Sequence, residues 1–221
     1  MAAELDGPRL EPRAGAAKKL VVFLHGYGAD GNDLIEIGRA WQQLMPDAAF
    51  VSPHAPEPCA GAPMGRQWFA LTFRDPDERW RGVNAAAPIL NRFLDAELAR
   101  RDLPASALAL VGFSQGTMMS LHVGLRRPTP PAAIVGYSGL FVLPDGAGPE
   151  SVKAEIKGHP PVLLVHGDRD ELIPVQALFQ ATQDLAALEV PTEWHVSPGI
   201  GHGIDQEGLR QGGEFLARRR Y

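Results

Sequence analysis

Residues 107–125, "ALALVGFSQGTMMSLHVGL", change character around one serine. Up to Gly112 the run is short, small and apolar, as a strand buried on both faces should be. After Ser114 the pattern fits a helix, and Gly112 and Gly116 stand two residues to either side of the serine. Outward from this corner the alternation repeats. "KKLVVFLH" (18–25), "AAFVS" (48–52), "AAIVGYSG" (132–139), "PPVLLVHG" (160–167) and "PTEWHVSP" (191–198) read as strands. "NDLIEIGRAWQQLM" (32–45) carries Leu34, Ile37, Trp41 and Leu44 or Met45 at helical spacing, and Asp33 with Glu36 resembles a capping box. "VNAAAPILNRFLDAELARR" (83–101), with Pro88 in its first turns, and "VQALFQATQDLAALE" (175–189) are helices. "DQEGLRQGGEFLARRR" (205–220) is a helix weakened by Gly212 and Gly213. Strands alternating with helices predict an α/β fold: a mostly parallel central sheet with helices on both faces, in one domain spanning 1–221.

Two stretches break the pattern. Residues 53–82 are Pro-rich yet carry Trp68, Phe69, Phe73 and Trp80, which argues against disorder. Residues 144–161 are irregular as well. Both are expected to wall a site at the edge of the sheet.

A strand, G-x-S-x-G and a helix in succession form a nucleophile elbow, the hallmark of the α/β-hydrolase fold. The serine must sit on a strained turn to clear the sheet. Glycines two residues away allow the close backbone approach this demands. The helix that follows turns its positive end toward the site, where it favours a developing oxyanion. The simpler alternative is that Ser114 only caps the helix. A nucleophile makes further demands that a cap does not. A serine hydroxyl needs a histidine base, which in turn needs a carboxylate, and in this fold they follow in the order Ser, acid, His. Of His159, His166, His195 and His202, only His202 lies in a glycine-rich loop just past the last strand, "SPGIGHGID". The preceding strand ends in "HGDRDELIP", which offers Asp168, Asp170 and Glu171. Spacing does not separate the two aspartates; one is expected to tighten the turn and the other to hold the histidine. The amide of Gln115, after the nucleophile, is one oxyanion donor, and the loop "HGYGADG" is suited to supply the other.

The bulk composition narrows the alternatives. The chain has 221 residues, 45% hydrophobic and 21% charged, with net charge −5. An acidic chain without a clustered basic face is not a nucleic-acid binder. The one basic run, Arg218–Arg220, fits the negative end of a last helix or a solvated tail. Cys59 is the single cysteine, so no internal disulfide forms, and a reducing, cytoplasmic setting is expected. The N-terminus lacks the pattern of a signal peptide, and no apolar run approaches the roughly 18 residues of a membrane span, so no stable membrane insertion is expected. A homodimer is left open. "DGNDLIEI" lacks the acidic positions of a calcium loop, no His/Cys cluster has zinc spacing, and "GYGADG" lacks the lysine of a phosphate loop.

Taken in order, "FLHGYGADGNDL", "GRQWF", "GFSQG", "HGDRDELIP" and "GIGHGI" resemble the phospholipase/carboxylesterase family of α/β-hydrolases, from about Leu20 to the end. The likeness is greatest to its bacterial carboxylesterase branch, which is related to the acyl-protein thioesterases. The resemblance implies Ser114 as nucleophile, His202 as base and Asp170 as the acid. It implies the backbone amides of Tyr27 and Gln115 as oxyanion donors, and no cofactor or metal. The implied activity is hydrolysis of small or medium carboxylic esters through an acyl-enzyme. An acyl-protein thioesterase or lysophospholipase is the alternative within the same chemistry, and a non-catalytic binding protein the alternative outside it. Many members have glycine where this chain has Thr117, and "RQWFAL" and "YSGLFVLPDGAGPES" also depart from the usual pattern. These departures are expected to bear on the substrate rather than the chemistry. Trp68, Phe69, Leu140 and Phe141 are expected to wall the pocket.

Overall fold

The computed structural model describes residues 4–72 and 74–219. Phe73 and Arg220 lie outside them. Seven strands form one sheet in the order β1-β3-β2-β6-β7-β8-β9. They are β1 (Arg9–Leu10), β2 (Lys19–Leu24), β3 (Ala48–Val51), β6 (Leu108–Phe113), β7 (Ala133–Tyr137), β8 (Val162–Gly167) and β9 (Thr192–Ser197). Every pairing is parallel except β1 with β3. The helices are α1 (Gly31–Trp41), α2 (Glu78–Arg100), α3 (Gln115–Arg126), α4 (Gln176–Ala187) and α5 (Gln206–Ala217).

Successive residues of a strand point to opposite faces, so each inner strand feeds two cores. Leu20, Val22 and Leu24 of β2 join Leu108 and Leu110 of β6 beneath the apolar faces of α2, α3 and α4. Val21 and Phe23 join Ala109, Val111 and Val135 on the other face, where Trp41 of α1 and Phe215 of α5 close over them. Doubly buried strands therefore read as continuous apolar runs. From β2 the chain first moves outward to β3 and later crosses back to β6 on the other side. The carboxyl ends of β2 and β6 thus meet where the strand order reverses, the crevice in which open α/β sheets bind ligands.

Several local expectations change. Asp30, not Asp33, caps α1: it is extended, and its carboxylate accepts from Asn32 N at 2.7 Å. α2 begins five residues earlier than its apolar pattern, which leaves Pro88 well inside the helix. Pro88 and Asn84, whose carbonyl loses its amide partner there, both face solvent. Residues 53–82 are not irregular throughout, because β4 (Glu57–Cys59) and β5 (Ala62–Gln67) pair as a hairpin. α5 runs unbroken through Gly212, which fits tightly beneath the Tyr137 hydroxyl and Trp41. Arg218 and Arg219 do not form a solvated tail: both pair with Glu193 of β9, and Arg219 lies 4.1 Å over the Phe215 ring.

Candidate active site

Ser114 stands between β6 and α3 with φ 54° and ψ −115°, a conformation that L-residues avoid unless their surroundings hold them there. Its amide donates to Tyr137 O at 2.9 Å, tying the corner to the neighbouring strand. The two glycines are sterically required. A Cβ on Gly116 would strike the carbonyl oxygen of Leu24, and one on Gly112 would strike the backbone of Gly116 and Thr117. Thr117 Oγ1 lies 2.9 Å from both Gly112 O and Tyr137 O. Its side chain is buried beneath the corner, so this departure braces the elbow and does not meet the substrate, as had been expected of it.

His202, in the loop after β9, brings Nδ1 to 2.8 Å from Asp170 Oδ2. A carboxylate only accepts, so Nδ1 carries the proton and Nε2 keeps its lone pair. The Asp170 side chain is fully buried and held by more than His202. Oδ1 accepts from Leu172 N and Ile173 N, both at 2.9 Å. His166 Nε2 lies 3.2 Å from Oδ2 and 2.7 Å from Ile173 O. With two acceptors in front of it, that nitrogen is a donor. Asp168 does something else: Oδ1 accepts from Gly199 N at 2.6 Å and fastens the loop after β8 to the loop that carries His202. The two aspartates that spacing left open are separated by these contacts, since only Asp170 reaches the histidine.

The loop after β2 is shaped by His25. Ala55 N donates to His25 Nε2 at 3.0 Å, so Nδ1 carries the proton and donates to Gly26 O at 2.8 Å. Burial pushes the imidazole's pKa below its ordinary value and keeps it neutral. Next along the chain, Tyr27 N has no acceptor among the described residues, and neither does Gln115 N at the start of α3. The Gln115 side chain is occupied elsewhere: it accepts from Trp68 N and donates to Phe69 O, each at 2.8 Å. Trp68 Nε1 donates in turn to His25 O at 3.0 Å.

Ser114 and His202 open on one cavity of about 410 Å³, lined also by Tyr27, Gln115, Leu71, Arg79, Met118, Leu140 and Ile173. That volume is ordinary for a small-molecule site. Of the four residues expected to wall it, Leu140 does so. Trp68 and Phe69 are 1% and 4% exposed and Phe141 7%, and all three lie in the core cluster behind the wall. The Gln115 and His25 bonds turn Trp68 inward, which composition does not reveal. Met118 and Ile173 were legible in retrospect, one helical turn after Ser114 and three residues after Asp170. Leu71 and Arg79 sit in a stretch without periodicity and gave no signal.

The sequence profile of the Phospholipase/Carboxylesterase family matches residues 5–219. The chain belongs to that family. It is similar to the solved structure of esterase PE8, with 45% identity and a TM-score of 0.91 over 97% of this chain and 98% of that one. It is 28% identical to Esterase YpfH of Escherichia coli (strain K12) over 88% of this chain and 80% of the relative. It is 26% identical to Acyl-protein thioesterase 1 of Gibberella zeae over 96% of this chain and 95% of the relative. The fold is that of the α/β-hydrolases, and the family makes the chain a serine hydrolase of carboxylic esters.

Proposed function

We propose that Ser114, His202 and Asp170 carry out this ester hydrolysis, with Tyr27 N and Gln115 N as the oxyanion hole. The carrying observation is that a proton-fixed His202 and a strained Ser114 open on one cavity beside two unpaired amides. Ser114 Oγ attacks the ester carbonyl while His202 Nε2 takes its proton. The oxyanion is met by the two amides, which have no other acceptor among the described residues to give up. When the tetrahedral species collapses, His202 returns the proton to the leaving alcohol, and the acyl group remains on Ser114. Water then attacks that ester with His202 as base, which releases the acid and restores the serine. Asp170 keeps the imidazole in one tautomer and stabilises its cation.

The preferred substrate in this reading is a compact ester. Arg79 and Glu171 both line the cavity, and a long acyl chain would leave such charges against hydrocarbon. Relatives named as thioesterases keep thioester hydrolysis as the second reading, since the steps are the same. We place the protein in the cytoplasm, on its single reduced cysteine, Cys59. Among the described residues no helix is long and apolar enough to cross a membrane. The test is steady-state hydrolysis of short 4-nitrophenyl esters beside acyl-thioester peptides. Ser114→Ala is expected to abolish both, and the wild type to favour the short esters. A folded Ser114→Ala variant with wild-type turnover would sink the assignment.

A further inference from the structure

Arg79 is the exception among the buried and half-buried arginines of the described residues. Arg9, Arg66, Arg101, Arg126, Arg127 and Arg219 are buried or half-buried, and each donates to a carboxylate or a carbonyl oxygen. Arg79 is half-buried too, yet has no hydrogen-bond or ion-pair partner among the described residues. Its acidic neighbours are engaged elsewhere. Asp75 pairs with Arg81, Glu78 accepts from Thr72 N and Oγ1, and Asp77 accepts from Asp145 N. Glu171 lines the same cavity but lies beyond ion-pair reach. Arg79, with its donors unused, therefore stands in the wall of the cavity that holds Ser114, beside Leu71, Met118 and Leu140. A half-buried guanidinium with unused donors is a receptor for a planar or tetrahedral oxyanion, which it can bind with two parallel hydrogen bonds.

We propose that the ester taken by this site carries an anionic group, a carboxylate or a phosphate, remote from the scissile bond and held by Arg79. This rests on the esterase reading above. The apolar residues that share the wall with Arg79 and Ser114 would then accommodate the short carbon chain that separates the anion from the carbonyl. Binding energy gained at that remote anion orients the carbonyl toward Ser114.

Two matched pairs of esters test it and distinguish the sources of the anion. One pair is mono-4-nitrophenyl succinate against 4-nitrophenyl butyrate, and the other is butyryl glycerol phosphate against butyryl glycerol. The quantity read is the ratio of kcat/KM, anionic over neutral, in wild type, Arg79→Gln and Arg79→Lys. Fluorophosphonate labelling of Ser114 checks that each site is assembled. The wild-type ratio is expected to exceed one in at least one pair, and the favoured pair names the anion. Arg79→Gln should lower that ratio about tenfold or more, Arg79→Lys should keep most of it, and added salt should shrink it. A ratio unchanged in labelled Arg79→Gln, or neutral esters preferred in both pairs, overturns the proposal while leaving the esterase reading intact. No turnover of any ester and no labelling would overturn both.

Discussion

Asp170 and its two histidines show how much of the chemistry rests on single hydrogen bonds. Asp170→Asn keeps the shape but offers an amide where His202 needs a carboxylate, so kcat should fall on the order of 10⁴. Steady-state turnover of a short ester measures it. His166 does not touch the cavity; it acts through Asp170 Oδ2. A hydrogen bond to a charged group is worth about 1.5–3 kcal/mol, so His166→Leu should cost roughly 10- to 100-fold in kcat/KM if the bond matters fully to the transition state. Removing that donor also leaves more negative charge facing His202. The acidic limb of the kcat/KM profile should therefore move to higher pH, whereas a purely structural defect would lower the profile without moving the limb. At this scale the sequence was half legible. Ser114 and His202 followed from the turn and from the order of residues. Asp170 did not separate from Asp168, because both stand in one loop and only the direction of the side chain distinguishes them. Thr117 read as a substrate contact because it follows the serine corner by three residues, yet its side chain is buried beneath that corner.

Among the elements, α3 joins the elbow to the segment just after β5 through one side chain. Gln115 satisfies Trp68 N and Phe69 O, both buried. Gln115→Ala would strand two buried groups at about 1–3 kcal/mol each. Denaturation should report a loss of that order, and Trp68 N–H should exchange faster with solvent than in the wild type. A variant with unchanged exchange at Trp68 would mean that the segment is held by other contacts. Gly116→Ala is expected to be more severe, because the Leu24 carbonyl has no room to retreat from a central strand. The parallel strands and α3 were legible because burial on both faces leaves an unbroken apolar signature. The hairpin was not: Pro58 and Pro63 hide it, and its residues alternate poorly. The start of α2 was missed because its first turn, Glu78–Arg81, is polar but for Trp80 and is anchored by hydrogen bonds of Glu78 and Asp77 rather than by apolar spacing.

Across the whole molecule, burial holds two histidines, His25 and His122, below their ordinary pKa. Burial lowers the pKa of His25, and burial together with the nearby Arg126 lowers that of His122 from 6.5 to about 3. His122 Nδ1 has no hydrogen-bond partner among the described residues, and the ring stands edge-on to Trp80 at 5.6 Å. Both groups bind protons more tightly when unfolded, so stability is whole above the unfolded value near 6.5 and is lost as pH falls below it. The loss through His122 should be about 1.4 kcal/mol per pH unit, down to its folded value near 3. His122→Phe should flatten the fall of Tm between pH 6.5 and 4, and an unchanged slope would place the acid sensitivity elsewhere. The α/β architecture itself was readable from alternation alone, because each strand–helix unit carries its own pattern; which loops meet over the sheet edge is set by strand order, which no local pattern encodes. That meeting puts Ser114 and His202 on one cavity, with Asp170 behind the histidine. Reaction with a fluorophosphonate followed by peptide mass mapping tests it most directly. The prediction is one adduct per chain, on Ser114, formed in step with the loss of ester hydrolysis and absent from His202→Ala. A folded protein that stays unlabelled, or carries its adduct on another residue, would contradict it.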